Sequence, residues 1–302
     1  MPIPEDLIAR VPQWKEARDL RYSPLGGGIT NRNFRVDVDG ESYVLRVAGT
    51  NTELLGIERE NEYVANQMAG ELGIAPQVYY FIRPEGYLVT RFIEARSLPP
   101  AELKKSENLC KVGAMLKRIH ALPPLQSEFI VFRVVEDYAD VARRYNLVFP
   151  DNFDWLLERM YDAEDAFDVG ALPLMPCHND LLNENFLQVD GKIYLLDWEY
   201  AGMGDIFFDL ANLSVNHNFS DYEDRFLLEC YFGEVSEIFW ARLKSMKVLS
   251  DFRESMWGLV QIGISDLDFD FREYADKHFK RMTQNLRDPR WGEWLSTIKN
   301  KS

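Results

Sequence analysis

The stretch "CHNDLLNENFLQVDGKIYLLDWEY", residues 177–200, sets Asp180, Asn185 and Asp197 around a short apolar hairpin. Asp190-Gly191 supplies a two-residue turn, because both positions of a tight hairpin loop favour residues that tolerate positive φ. With that turn, Val189 falls opposite Lys192, Leu187 opposite Tyr194 and Glu184 opposite Asp197, and Asn185 is diagonal to Asp197. Asp180 lies in the loop feeding the first strand. One loop end therefore gathers two carboxylates and an amide oxygen, hard ligands that suit Mg²⁺ alongside substrate phosphates. Turn and cap preferences account for Asp180 or Asn185 taken singly, but not for the set.

A second hairpin lies upstream, in "LGGGITNRNFRVDVDGESYVLRVAG". Asp39-Gly40 is its turn, so Phe34 faces Leu45 and Asn33 faces Arg46, and Arg46 sits beside the mouth of the loop "GGGITN". Glycines let backbone N–H groups approach a phosphate, and a nearby cation neutralises it. A helix is expected from about 57 to 72, ended by Gly73 and Pro76. Glu62 shares its small-residue flank with Ala65 and Ala69, a candidate partner for Arg46; Arg59, three residues back, is the local alternative. Downstream of these features, His178-x-Asp180-x-x-x-x-Asn185, then a hairpin, then Asp197 is the spacing of a protein-kinase-type catalytic loop.

The chain has 302 residues, enough for one large or two moderate domains. Its 34 basic against 49 acidic residues, a net charge of −15, argue against a nucleic-acid binder, which needs a basic patch. The same charge is compatible with a cationic substrate and is a common solubility feature. Cys110, Cys177 and Cys230 are far apart with no CxxC spacing, which suggests a reducing compartment and neither a disulfide framework nor a zinc site. The start resembles no signal peptide, and no run approaches the ~18 apolar residues of a membrane span. A cytoplasmic protein without membrane insertion is expected. Residues 1–92 read as β-rich with one helix and residues 93–302 as mainly helical apart from the 177–200 hairpin. The expected fold is α+β and two-lobed, with a small β-rich N-lobe for nucleotide and a larger helical C-lobe for the catalytic loop and substrate.

The stretches "GGGITNRNF", "YVLRVAG", "IERENEYVANQMAGELGIAPQVYYF", "KRIHALP", "CHNDLLNENFL", "YLLDWEYAGMGDIFFDLANL" and "MWGLVQIGISDLDFDFREYADKHF" together resemble the choline/ethanolamine kinase family. That family lies within the aminoglycoside-phosphotransferase and protein-kinase-like fold. The resemblance implies ATP and Mg²⁺ as cofactors and Asp180 as catalytic base for a substrate hydroxyl. Asn185 and Asp197 would hold the metal, and Arg46 would stand at the phosphates with Glu62 as its helix partner. Gly27, Gly28, Thr30 and Asn31 would form the phosphate loop, and Glu199 would approach metal or substrate. His178 is read as a support of the loop, and Asp209 as a helix cap bracing it.

For the acceptor, the resemblance places Trp257 and Tyr274 in a pocket for a small cationic amino alcohol, choline or ethanolamine. Where a second tryptophan is usual the chain has Val260, which depletes an aromatic box for a quaternary ammonium. By pattern alone Trp257, Val260, Gln261 and Ile264 form an ordinary core stripe. Asp266, Asp268 and Asp270 lack the Gly and Glu of a calcium loop, since Phe271 and Lys277 stand there. A thiamine or aminoglycoside kinase of the same fold and a catalytically silent binding module are the alternatives.

Overall fold

Strict alternation in "RNFRVDV" and "ESYVLRV" makes two strands, each buried on one face. The computed structural model describes residues 4–26, 31–265 and 267–300. β2 (Arg32–Val38) and β3 (Glu41–Val47) follow a short helix α1 (Pro4–Ile8) and strand β1 (Leu20–Leu25). Asp39 and Gly40 both have positive φ, and Phe34 pairs with Leu45 and Asn33 with Arg46, the register the turn dictates. α2 (Arg59–Glu71) comes next, then β4 (Val78–Ile82) and β5 (Tyr87–Arg91). The sheet order is β1-β2-β3-β5-β4. Leu7, Val11, Trp14, Val36, Leu45, Ile82 and Val89 form the core on one face.

β1 is not evident from "LRYSPL": Pro24 cannot donate to a ladder, and the strand is mostly exposed. An edge position accommodates both. β6 (Arg96–Ser97) is a short addition to the hairpin of β8 (Phe186–Val189) and β9 (Lys192–Leu195). Leu187 pairs with Tyr194 and Val189 with Lys192 as the turn requires. The ladder stops at Phe186–Leu195, because Asn183–Asn185 winds into a 3-10 turn, so Glu184 and Asp197 are not a ladder pair. One compact unit contains Met1–Glu53, Ile57–Leu98 and Glu184–Glu199.

The other unit contains Leu54–Gly56, Pro99–Asn183 and Tyr200–Ser302. Its helices are α3 (Pro100–Leu103), α4 (Ser106–Ile119), α5 (Val131–Arg144), α6 (Phe153–Val169), α7 (Ile206–Asn216), α8 (Asp221–Phe232), α9 (Glu237–Ile264), α10 (Phe271–Leu286) and α11 (Trp291–Asn300). The short pair β7 (Met175–Cys177) and β10 (Gly202–Gly204) was not expected from sequence; three-residue strands carry no period to read. α9 packs against α5, α7, α10 and α11 and is buried on all sides along most of its length, which is why it shows no single apolar stripe. α8 begins with a Ser220/Glu223 capping box and ends at Gly233, whose φ of +85° suits glycine. Among the described residues no helix is long and apolar enough to cross a membrane.

The cysteine expectation needs correction. Cys110 on α4 and Cys230 on α8 are joined by a disulfide, with Cα atoms 5.1 Å apart. Gly113, one turn beyond Cys110, faces Cys230 and the Tyr231 backbone across the contact between the two helices. Cys177 is free and buried.

Candidate active site

In the helical unit, β7 delivers the chain into the loop that carries Asp180. Asn179 just before it has φ +66°, a left-handed conformation that Asn tolerates better than most residues. The groups that anchor the loop lie on α7 at positions i and i+3, one face of the helix. Asp209 accepts from the His178 and Asn179 backbone amides at 2.9 and 2.7 Å, and Asn212 accepts from the Leu181 amide at 2.6 Å. The Asn179 side chain donates to the Tyr200 carbonyl at 3.0 Å, and the Asp180 amide to His178 Nδ1 at 3.2 Å. His178 is thus a loop support, as expected. Asp209 is not a cap: Asp205 caps α7 by accepting from the Phe207 amide, while Asp209 uses its carboxylate on the loop.

His120 Nε2 meets Asp209 at 3.1 Å and its Nδ1 meets the Tyr231 hydroxyl at 2.6 Å. Burial works against an ionised Asp209, but hydrogen bonding and charge from His120 and the loop amides outweigh it and hold the carboxyl below its usual range. His120, Cys177 and Asp209 converge within 4.8 Å. Burial pushes the Cys177 thiol well up, so it stays protonated and is a poor metal ligand; the trio is a brace.

In the β-rich unit, a second cluster is built on charge. Arg46 on β3 pairs with both Glu62 of α2 and Asp197. Arg59 Nη1 bridges Glu62 at 2.6 Å and Glu199 at 3.1 Å, and its Nη2 donates to Thr52 at 2.9 Å. The two sequence alternatives for Glu62 are therefore both realised. Asn31 donates to Glu199 at 3.1 Å. Asp197 has φ +63°, and the Leu196 amide donates to the Asn185 carbonyl at 2.9 Å, which seats Asn185 beside the turn into Asp197.

Burial and the neighbouring Glu199 carboxylate raise the Asp197 carboxyl, against the pull of Arg46. Glu199, despite burial, is held low by Arg46, Arg59 and Asn31. Two guanidiniums here face three carboxylates, Glu62, Asp197 and Glu199. The excess negative charge on oxygen donors fits a hard divalent cation at Asn185 and Asp197. Gly27, Gly28 and Thr30 of the expected phosphate loop lie outside the described residues.

Asp180 itself is buried, and Arg253 Nη1 on α9 lies 3.4 Å from its Oδ1. The same Nη1 donates to Glu254 Oε1 at 2.9 Å. Glu254 also accepts from Asn212 at 3.0 Å and from the Tyr274 hydroxyl at 2.7 Å. Trp257 Nε1 donates to the Tyr200 hydroxyl at 2.9 Å, and the Trp257 ring meets Tyr274 edge-on at 5.5 Å. Trp257 and Tyr274 are thus brought into one cluster through Arg253, Glu254 and Tyr200. Sequence reading missed those three; the signal was the charged pair Arg253-Glu254 directly before the mostly apolar run "SMWGLV".

The family model described as choline/ethanolamine kinase matches residues 22–230. A solved structure of a choline/ethanolamine kinase family protein from Mesorhizobium loti is 30% identical, covers 97% of each chain and superposes with a TM-score of 0.83. The choline kinase LicA from Streptococcus pneumoniae is 25% identical over 93% of this chain and 98% of its own, with a TM-score of 0.79. Ethanolamine kinase 2 of Mus musculus is 27% identical, covering 89% of this chain and 77% of that protein.

Proposed function

The chain belongs to the choline/ethanolamine kinase family, a phosphotransferase with an alcohol acceptor, and from that premise we propose that it moves the γ-phosphoryl group of ATP, with Mg²⁺, to the hydroxyl of choline or ethanolamine. The observation that carries the reading is the charge cluster of Arg46 with Glu62 and Asp197. Phosphoryl transfer depends mainly on in-line positioning and on neutralising phosphate charge. Arg46 is the cation for the phosphates, and Glu62 fixes its side chain. Asn185 and Asp197 are the metal ligands, and Mg²⁺, when bound, neutralises phosphate oxygens. Asp180 orients the acceptor hydroxyl and takes its proton late. Asp209 and Asn212 hold the loop so that Asp180 needs no rearrangement at the moment of transfer.

A coupled ADP-release assay with Mg-ATP against choline, ethanolamine, thiamine and an aminoglycoside tests this. Turnover with an amino alcohol that EDTA abolishes is expected. Turnover only with thiamine or the aminoglycoside would replace the acceptor class, and ATP binding without turnover of any acceptor would make the chain a silent binding module.

A further inference from the structure

Arg253 is 1% exposed, yet only one of its nitrogens is engaged: Nη1 serves Glu254 and Asp180. Among the described residues Nε and Nη2 find no hydrogen-bond acceptor. A buried guanidinium with idle donors is costly unless another interaction offsets it. Here the offset is aromatic: Cζ lies 4.3 Å from the centroid of the Tyr200 ring and 5.9 Å from that of Phe129. Burial disfavours the charge, but Glu254 and the surrounding acidic groups hold Arg253 protonated more firmly than usual.

The aromatic group linked to Asp180 is therefore already in use. Arg253 covers a face of Tyr200, and Trp257 meets the rings of Phe271 and Tyr274 at steep angles of 71° and 69°. The next position along α9 at helical spacing, Val260, offers no ring. A quaternary ammonium has no N–H and depends on open aromatic faces. A primary ammonium has three donors and is held by carboxylate and carbonyl oxygens. Asp180 and Glu254 bring two carboxylates to the guanidinium of Arg253, oxygen acceptors of the kind a primary ammonium uses.

Resting on the amino-alcohol kinase reading above, we propose that Arg253 is a specificity-determining residue. It occupies the Tyr200 face as an internal cation and so favours a primary amino alcohol over a quaternary one. No motif of the sequence marks it, because an arginine in a long helix is ordinarily a surface residue.

The test is kcat/KM for ethanolamine, its N-methyl and N,N-dimethyl derivatives and choline, in wild type, Arg253→Ser and Arg253→Lys. Wild type is expected to lose efficiency with each methyl, at least tenfold from ethanolamine to choline. Arg253→Ser is expected to shift that ratio toward choline by at least tenfold, and Arg253→Lys, which keeps the charge, to preserve the wild-type order. Choline used as well as or better than ethanolamine by wild type overturns the inference and leaves the kinase reading intact, a result that needs no folded variant. An equal loss for both acceptors in Arg253→Ser also overturns it, since that is what a purely structural arginine would give. No transfer to any of the four alcohols removes the kinase reading, and this inference with it.

Discussion

Replacing Asp209 by Asn should damage both stability and catalysis, to an extent that the hydrogen bonds on the page allow one to work out. The carboxylate accepts from two loop amides and meets His120. An amide side chain has one acceptor oxygen, so one loop N–H keeps a weaker neutral bond and the other faces an NH₂ group. Hydrogen bonds to a charged group contribute about 1.5–3 kcal/mol each, and a buried donor left unpaired costs about 1–3 kcal/mol. Allowing for the bond that Asn remakes, Asp209→Asn should destabilise by roughly 3–5 kcal/mol. Because these bonds anchor the backbone just before Asp180, their loss displaces Asp180, and a shift of about 1 Å in a catalytic group is enough for roughly a hundredfold loss of kcat. Urea unfolding gives the first quantity and steady-state kinetics at saturating ATP the second. A variant less than 1 kcal/mol weaker than wild type, with kcat within threefold, would refute the brace.

Arg46→Met should weaken ATP binding at least tenfold by calorimetry, and Glu62→Gln less so, because Asp197 still holds the guanidinium; equal affinities in all three proteins would remove Arg46 from the phosphate site. Cutting the Cys110–Cys230 crosslink, 120 residues apart, should cost up to about 5 kcal/mol on the chain-entropy account, read as a lower Tm in reductant that Cys110→Ser/Cys230→Ser reproduces without it. Burial, aided by Lys104, depresses His217 to about 4, whereas an unfolded histidine titrates near 6.5. The folded state then binds fewer protons across that window, so stability falls as pH drops from about 6.5 toward 4, by roughly 2 kcal/mol between pH 7.5 and 5; His217→Gln should flatten this slope in urea unfolding, and an unchanged slope would rule His217 out as its source. At Gly258 an added Cβ would lie 2.9 Å from Tyr274 Cδ1 and 3.2 Å from the Ala275 nitrogen. Gly258→Ala should therefore cost about 1–3 kcal/mol and raise KM for the amine while leaving KM for ATP unchanged.

What was legible in the sequence was local. Asp39-Gly40 and Asp190-Gly191 set two hairpin registers because turn chemistry acts over four residues, and the register in turn put Asn33 opposite Arg46. The end of the second ladder was not legible, since the 3-10 turn at Asn183–Asn185 breaks a pattern that the turn alone extends. Asp209 was read as bracing the catalytic loop, which it does, but through a cap it does not form: a carboxylate early in a helix reads as a cap, and only the fold brings the 178–179 amides to it. The Cys110–Cys230 bond depends on how α4 meets α8, which no spacing encodes. Arg253 was passed over for the same reason, and Arg59 was read only as a local partner of Glu62, because nothing in either helix shows that the chain folds further carboxylates around them.

The central claim is that Asp180 serves phosphoryl transfer to an alcohol, and ³¹P NMR of wild type and Asp180→Asn with Mg-ATP and ethanolamine or choline tests it most directly. The account predicts a phosphomonoester resonance that grows with ADP in wild type and is absent in the variant, with ATP affinity unchanged. A variant that retains more than a tenth of wild-type kcat, or a wild type that releases only inorganic phosphate, would contradict it.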